Sequence, residues 1–297
     1  MAARSNFDRA RREGLLSWNL EGGVAVITGA GSGIGRALAQ RLAREKMSLA
    51  LADNDAAGLE ETAFQLCDCG QTVSTHAVDV SDLKRVEQFA TEVIAKHGRA
   101  TLLINNAGVA MWGTVEELSI DEIAWLMGIN YWGVVYGAKT FLPLLRREPR
   151  AHIVNVSSIY GMISPAGQSA YCSAKFAVRG FTEVLLHELA GSTIGVSCVH
   201  PGGIRTAVAR RARIAAKADP AKAALNIGRF DRIAMTLPEA AADRIVDGVK
   251  RGESRILVGK DAVRLDRLQR IFPIRYWNSL VKRGRKLEEW EAKNKSV

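Results

Sequence analysis

No stretch of the 297 residues approaches the roughly 18 uninterrupted apolar positions that a membrane-crossing helix needs. The N-terminal segment also has no apolar core of the kind a secretory signal carries. The expected compartment is therefore the cytoplasm. Cysteine is scarce: Cys67, Cys69, Cys172 and Cys198 include a C-x-C pair with neither zinc-knuckle nor thioredoxin-like spacing. Reduced thiols and no metal site are expected. No low-complexity linker divides the chain and no repeat is visible beyond a strand-helix rhythm, so one large domain with appendages is the natural reading.

The net charge of +10 resembles that of a nucleic-acid binder until its distribution is followed. Residues 1–20 carry +2, residues 205–232 carry +6 and residues 260–297 carry +6, which leaves −4 for the body. No zinc finger, RNA-binding aromatic signature or long basic arm accompanies these segments, which argues against nucleic acid as a partner.

From residue 24, short apolar β-rich runs alternate with longer helical patterns: VAVIT (24–28), LALAD (49–53), TVSTHAV (72–78), TLLIN (101–105), HIVNVS (152–157), GVSCVH (195–200) and RILVG (255–259). Between them Leu83, Val86, Phe89 and Val93 recur at helical spacing. Such alternation predicts an α/β fold: a Rossmann-type, doubly wound, mostly parallel seven-stranded sheet with helices on both faces. The strongly apolar strands agree, because parallel strands are buried on both sides.

The first of these units reads strand, glycine-rich turn, helix. Its glycines at 29, 31, 33 and 35 allow close backbone approach to a pyrophosphate, and the following helix offers its N–H groups and positive dipole end. Asp53 ends the second strand, where a carboxylate accepts from adenosine ribose hydroxyls and repels the extra phosphate of NADP. NAD is thus expected over NADP, with Arg36 as the residue through which NADP would be accommodated. The competing role for Asp53 is the N-cap of the next helix.

Tyr171 and Lys175 stand four apart in SAYCSAKFAV and share a face if that segment is helical. A nearby ammonium stabilises phenolate, and moving a phenol pKa from about 10 toward 7 takes about 4 kcal/mol of differential stabilisation. Such a phenol serves as base toward an alcohol or as acid toward a ketone. Taken alone, a pair at this spacing is usually only a helix-surface contact. Ser158, at the end of the preceding apolar run, brings a hydroxyl that could hold the same substrate oxygen. His187 and His200 lack neighbouring ligands at metal spacing and read as packing or strand-end hydrogen-bonding residues.

With TGAGSGIG at 28–35, NNAG at 105–108, Asn130 in GINYWGV, Ser158, Tyr171 with Lys175, and PGGIRT at 201–206, the chain resembles the short-chain dehydrogenase/reductase family over roughly residues 20–260. The resemblance implies Tyr171 as general acid/base, Ser158 as the group that orients the carbonyl or alcohol, Lys175 as a ribose ligand that depresses the tyrosine pKa, and Asn130 as the anchor of a proton-relay water. For the cofactor it implies Gly29, Ser32, Gly33, Ile34 and Gly35 around the pyrophosphate, Asp53 on the ribose, and Asp79 and Val80 by the adenine. Asn106, Ala107 and Gly108 would flank the dinucleotide, and Pro201, Gly202, Ile204 and Thr206 would bound its nicotinamide end. It also implies a homo-oligomer, dimer or tetramer.

Met111, Trp112, Tyr160 and Met162 fall where this resemblance puts the substrate, and the Ala- and Arg-rich stretch 203–237 is a candidate lid. These walls suit a hydrophobic secondary alcohol or ketone of lipid-, steroid- or retinoid-like character, interconverted by NAD(H)-dependent hydride transfer. The lid's basic residues leave room for an NADP-dependent 3-oxoacyl-thioester reductase. A weakly catalytic, dinucleotide-sensing adaptor is the competitor from another class. Residues 1–20 and 261–297 are expected as extensions. In the latter, Leu265, Leu268, Phe272, Trp277 and Val281 recur among basic residues, with Pro273 breaking the helix. That segment packs over the active site or a second subunit, or makes peripheral contact with an anionic membrane.

Overall fold

The computed structural model describes residues 18–278 and 281, without the side chains of residues 226, 227, 229–231 and 233. Its chain order is β1 (Val24–Thr28), α1 (Gly33–Arg44), β2 (Ser48–Asp53), α2 (Ala56–Phe64), β3 (Val73–Ala77), α3 (Leu83–His97), β4 (Leu102–Asn105), β5 (Met111–Trp112) and α4 (Ile120–Met127). After a π-helical turn (Gly128–Trp132) come α5 (Gly133–Leu145), β6 (Ala151–Val156), a 3-10 turn (Ile159–Gly161), α6 (Ser169–Glu188) and β7 (Ile194–Pro201). The chain continues through β8 (Arg213–Ile214), α7 (Pro220–Ile233), α8 (Pro238–Lys250), β9 (Arg255–Val258) and α9 (Lys260–Ile271).

The seven long strands form one sheet in the order β3-β2-β1-β4-β6-β7-β9, and every pairing is parallel. The order reverses between β1 and β4, so the carboxyl ends of those strands open a crevice there, where open α/β sheets bind ligands. β1 and β4 are buried throughout, as the unbroken runs VAVIT and LLIN require. The edge strand β3 is partly exposed and carries Ser, Thr and His.

Two apolar cores lie on opposite faces of the sheet. In α1, Leu38 and Leu42 at i and i+4, with Ala39 and Ala43 beside them, pack against Ile245 and Val249 of α8. Each fully buried leucine contributes about 1.5–3 kcal/mol of apolar transfer. On the other face, Val86, Phe89 and Val93 of α3 meet Phe141 of α5, with the two phenyl rings edge-on at 5.6 Å.

Both expected extensions are built into this body as far as they are described. Trp18 and Leu20 are buried, and the Trp18 N–H donates to the Lys250 carbonyl at 2.8 Å. At the other end, α9 stops at Ile271, and Phe272 takes the non-helical conformation that Pro273 demands of its predecessor. Leu265 and Tyr276 pack with Ile159, Met162 and Ile163, and the Ser164 N–H donates to the Tyr276 hydroxyl at 3.0 Å. α9 therefore packs over the 3-10 turn and the residues that follow it. Residues 1–17 and the basic stretch past Val281 lie outside the described residues. Among the described residues no helix is long and apolar enough to cross a membrane.

Candidate active site

The phosphate loop is shaped by close backbone approach. Gly29 (φ 67°) and Gly33 (φ 53°) adopt the left-handed region. A Cβ on Gly29 would lie 2.8 Å from the Ala107 Cα, and one on Gly33 would lie 3.1 Å from the Thr206 methyl. The β4 exit clamps this loop: Asn106 and Ala107 N–H groups both donate to the Thr28 hydroxyl at 3.1 Å, and the Asn106 side-chain amide donates to the Thr28 and Gly29 carbonyls. A bare-backbone cradle ahead of α1 fits a pyrophosphate. Gly35 serves another purpose. Its Cβ would fall 1.9 Å from the Gly29 carbonyl oxygen, so it lets α1 start against the loop, and it does not line the cavity.

At the end of β2, Asp53 accepts from the Gly31 N–H through Oδ2 at 2.8 Å and from the Asp55 N–H through Oδ1 at 3.0 Å. The N-cap of α2 is Asp55, which accepts from Gly58 N–H, so the alternative role weighed for Asp53 falls to its neighbour. Arg36 is engaged by the protein's own groups. Its guanidinium donates to the Gly31 carbonyl at 2.6 Å and to the Thr62 hydroxyl at 2.9 Å, stitching α1 to α2 behind the loop.

A cavity of about 440 Å³ runs from this carboxylate to the start of α6. It is lined by Gly29, Ser32, Gly33, Ile34, Asp53, Asp79, Val80, Asn106, Ala107 and Gly108, and at its far end by Ser158, Tyr171, Lys175, Pro201, Gly202, Ile204 and Thr206. Residues as far apart in sequence as Gly29 and Thr206 thus converge on one crevice.

Ser158 caps the 3-10 turn, accepts from the Tyr160 N–H at 3.1 Å and hydrogen-bonds the Tyr171 hydroxyl. Behind it, the buried His200 ring donates from Nδ1 to the Ser158 carbonyl at 3.0 Å. Burial pushes the His200 pKa down to about 4, so the ring is neutral and fit for that bond. Lys175 lies one turn after Tyr171. Its Nζ sits 5.8 Å from the tyrosine ring centroid and donates to the Val156 carbonyl at 2.9 Å. Burial lowers the Lys175 pKa to about 8. Burial likewise pushes the Tyr171 hydroxyl up to about 12, with the Ser158 hydrogen bond acting downward. In the protein alone desolvation dominates the phenol's pKa, and the Lys175 Nζ is turned to a backbone carbonyl.

Asn130 stands in the π-helical turn, which rotates its side chain out of the regular helical register. Both of its amide atoms are bonded to Val109, accepting from the N–H and donating to the carbonyl at 2.8 Å each. It braces the wall from behind and does not line the cavity. Two of the four substrate positions also move. Trp112 and Tyr160 line the cavity, whereas Met111 and Met162 do not. Alternation along β5 turns Met111 into the cluster of Leu118, Leu126 and Ala215. Met162 packs with Ile159 and Ala262, its sulfur 3.0 Å from the Arg255 guanidinium.

Several contributors carried no motif. Gln168, three residues before Tyr171, is buried, lines the cavity and donates to the Met111 carbonyl at 3.3 Å; helical spacing back from the tyrosine was the available signal. A buried chain from Asn105 to Asn155 at 2.9 Å and from Asn155 to Thr182 at 3.0 Å ties β4 and β6 to α6, and so aims the helix that carries Tyr171. The candidate lid supplies Ala207, Val208, Ala209 and Arg211 to the cavity, and β8 anchors it by pairing with β5.

The sequence model described as short chain dehydrogenase matches residues 23–217. A Mycobacterium tuberculosis protein named as the oxidoreductase SadH is 45% identical over 260 residues, covering 87% of this chain and 94% of that protein. Estradiol 17-beta-dehydrogenase 11 of Pongo abelii is 32% identical over 262 residues, covering 87% of this chain and 82% of that protein. Among solved structures, a short chain dehydrogenase/reductase from Burkholderia phymatum in complex with NAD superposes with a TM-score of 0.79 at 33% identity, covering 85% of this chain and 94% of that one. The chain belongs to the short-chain dehydrogenase/reductase family and is an NAD(P)-dependent oxidoreductase of CH–OH groups.

Proposed function

We propose that the protein interconverts a hydrophobic secondary alcohol and its ketone, with NAD(H) as the cofactor. The observation that carries this reading is the meeting of the Ser158 and Tyr171 hydroxyls at one end of a cavity whose other end is the glycine cradle and Asp53. Held by the glycine cradle and Asp53, NAD(H) would supply the hydride-transfer chemistry. The chain's own residues do the rest. Ser158 holds the substrate oxygen, and Tyr171 takes the proton from the alcohol or returns it to the ketone. Lys175 holds the ribose hydroxyls beside it and adds positive charge. Trp112, Ile159, Val208 and Leu265 line the same cavity and favour an apolar substrate that excludes water.

Asp53 supports NAD over NADP, since a carboxylate at that point opposes a ribose phosphate and Arg36 is engaged elsewhere. Arg211, the lid's basic residue on the cavity wall, lies 3.8 Å from Asp55 at the Asp53 end. It is thus occupied by a carboxylate and gives little support to an anionic substrate handle. Replacing Asp53→Ser removes the opposing charge and keeps a hydroxyl for the Gly31 N–H. The ratio of kcat/KM for NAD to that for NADP is expected to fall by at least about tenfold. A ratio unchanged by the substitution contradicts the assignment.

Assembly with further copies of the chain is part of the same proposal. Phe176 and Val184, eight residues apart on one face of α6, are both exposed, and Trp132 is exposed at the preceding π turn. A second copy would cover them.

A further inference from the structure

The turn that follows β7 is held from outside its own strand. Thr236 pairs with it: the Arg205 N–H donates to the Thr236 carbonyl at 2.8 Å, and the Thr236 N–H donates to the Gly203 carbonyl at 3.2 Å. The Gly202 N–H donates to the Val258 carbonyl at 2.9 Å. Between them, the Gly203 N–H goes to a side chain, Oδ2 of Asp261, at 2.6 Å. Asp261 comes from the first turn of α9, beyond the residues that the family's sequence model matches.

Two glycines make room for this one carboxylate. A Cβ on Gly202 would lie 2.3 Å from its Oδ2, and a Cβ on Gly259, which holds φ 97°, would lie 2.5 Å from its Oδ1. Asp261 also lines the cavity with Tyr171, Gly202 and Gly203. Its charge reaches Tyr160 and helps to keep that hydroxyl protonated. A carboxylate placed only to favour the helix dipole needs neither cleared space nor a bond to a neighbouring loop.

We propose that Asp261 is a positioning residue for the cofactor: its carboxylate fixes the Gly202–Gly203 backbone that bounds the nicotinamide end of the cavity. Through it the C-terminal helix sets the affinity for that half of the dinucleotide. The inference rests on the reading that residues 201–206 face the nicotinamide.

The test compares NADH with ADP-ribose, which lacks the nicotinamide, by calorimetric titration of the full chain, alongside thermal midpoints. Asp261→Ala is expected to weaken NADH about tenfold, the loss typical of a hydrogen bond to a charged group, and ADP-ribose less than about twofold. Asp261→Asn keeps an acceptor oxygen and is expected to recover most of the NADH affinity. Equal weakening of both ligands, an unchanged NADH affinity, or an Asn variant no better than the Ala variant overturns the proposal. Should Asp261→Ala fail to fold, Asp261→Glu keeps the charge but displaces it by a methylene. Selective loss of NADH then supports the proposal, and unchanged binding of both ligands overturns it. If the unaltered protein binds NADH no better than ADP-ribose, the proposal falls with the reading of residues 201–206, and that control identifies the reading as the failure.

Discussion

Tyr171→Phe is expected to lower turnover by about 10²–10⁴-fold while NADH affinity stays within about threefold. The substitution removes one oxygen from a half-buried ring that packs edge-on against Tyr160 at 6.1 Å, so the cavity keeps its shape and only the proton donor is lost. The Ser158 hydroxyl loses a partner but keeps the Tyr160 N–H. Steady-state kinetics paired with fluorescence titration checks both halves. The same pair separates the enzyme from a dinucleotide-sensing adaptor, whose partner binding would be indifferent to the change. Because burial holds the phenol near 12 even with the Ser158 hydrogen bond acting downward, the ionised form needed for alcohol oxidation depends on added positive charge. Oxidation is therefore expected to accelerate with rising pH, and ketone reduction, which draws on the protonated phenol, is expected not to.

Lys175→Met is expected to lower turnover by at least about 100-fold and, at the same time, to raise the melting temperature. The buried ammonium has a pKa of about 8 in the folded chain, against an ordinary 10.5. Below about pH 8 the amine is charged in both states and the full cost of burying that charge is present. Between about 8 and 10.5 the unfolded chain binds more protons than the folded one, so stability rises with pH across that window. Methionine fills similar volume without charge. It leaves the Val156 carbonyl without its Nζ–H donor, which offsets part of the gain. The net expectation at pH 7 is a stabilisation on the order of 1–2 kcal/mol, or a few degrees in Tm for a domain of this size. The slope of stability against pH between about 8 and 10.5 should also flatten. Thermal melts across that range check it; a lower Tm with the slope intact would show that the lysine is neutralised by a partner and not merely buried. The site would then stand as a case in which catalysis is maintained at the expense of stability.

The sheet was legible because its strands are buried on both faces, and an unbroken run such as VAVIT has few other folded homes. The glycine loop, Ser158, Tyr171 and Lys175 were legible because each is tied to an element end that periodicity locates. What escaped follows from the same physics. Met111 and Trp112 are adjacent, yet strand alternation sends one into the core and the other into the cavity, and a two-residue strand gives no pattern from which to choose. Asn130 was legible as a residue but not in its geometry, since a π turn has no sequence period of its own. The buried Asn105–Asn155–Thr182 chain and the Asp261–Gly203 bond join residues tens of positions apart, and only the fold brings such pairs together. For the same reason α9 read as a basic extension, with packing over the active site only one of the alternatives left open. Its arginines dominate the composition, whereas the residues that face inward, Ala262, Leu265 and Asp266, are few.

The measurement that bears most directly on the account is NADH formation by the unaltered protein over a panel of hydrophobic secondary alcohols, run in parallel with NAD and with NADP. The account predicts turnover of at least one alcohol, with NAD giving the higher kcat/KM. Tight NAD binding with no turnover across a broad panel would contradict it and favour the adaptor, and turnover that prefers NADP would overturn the role given to Asp53.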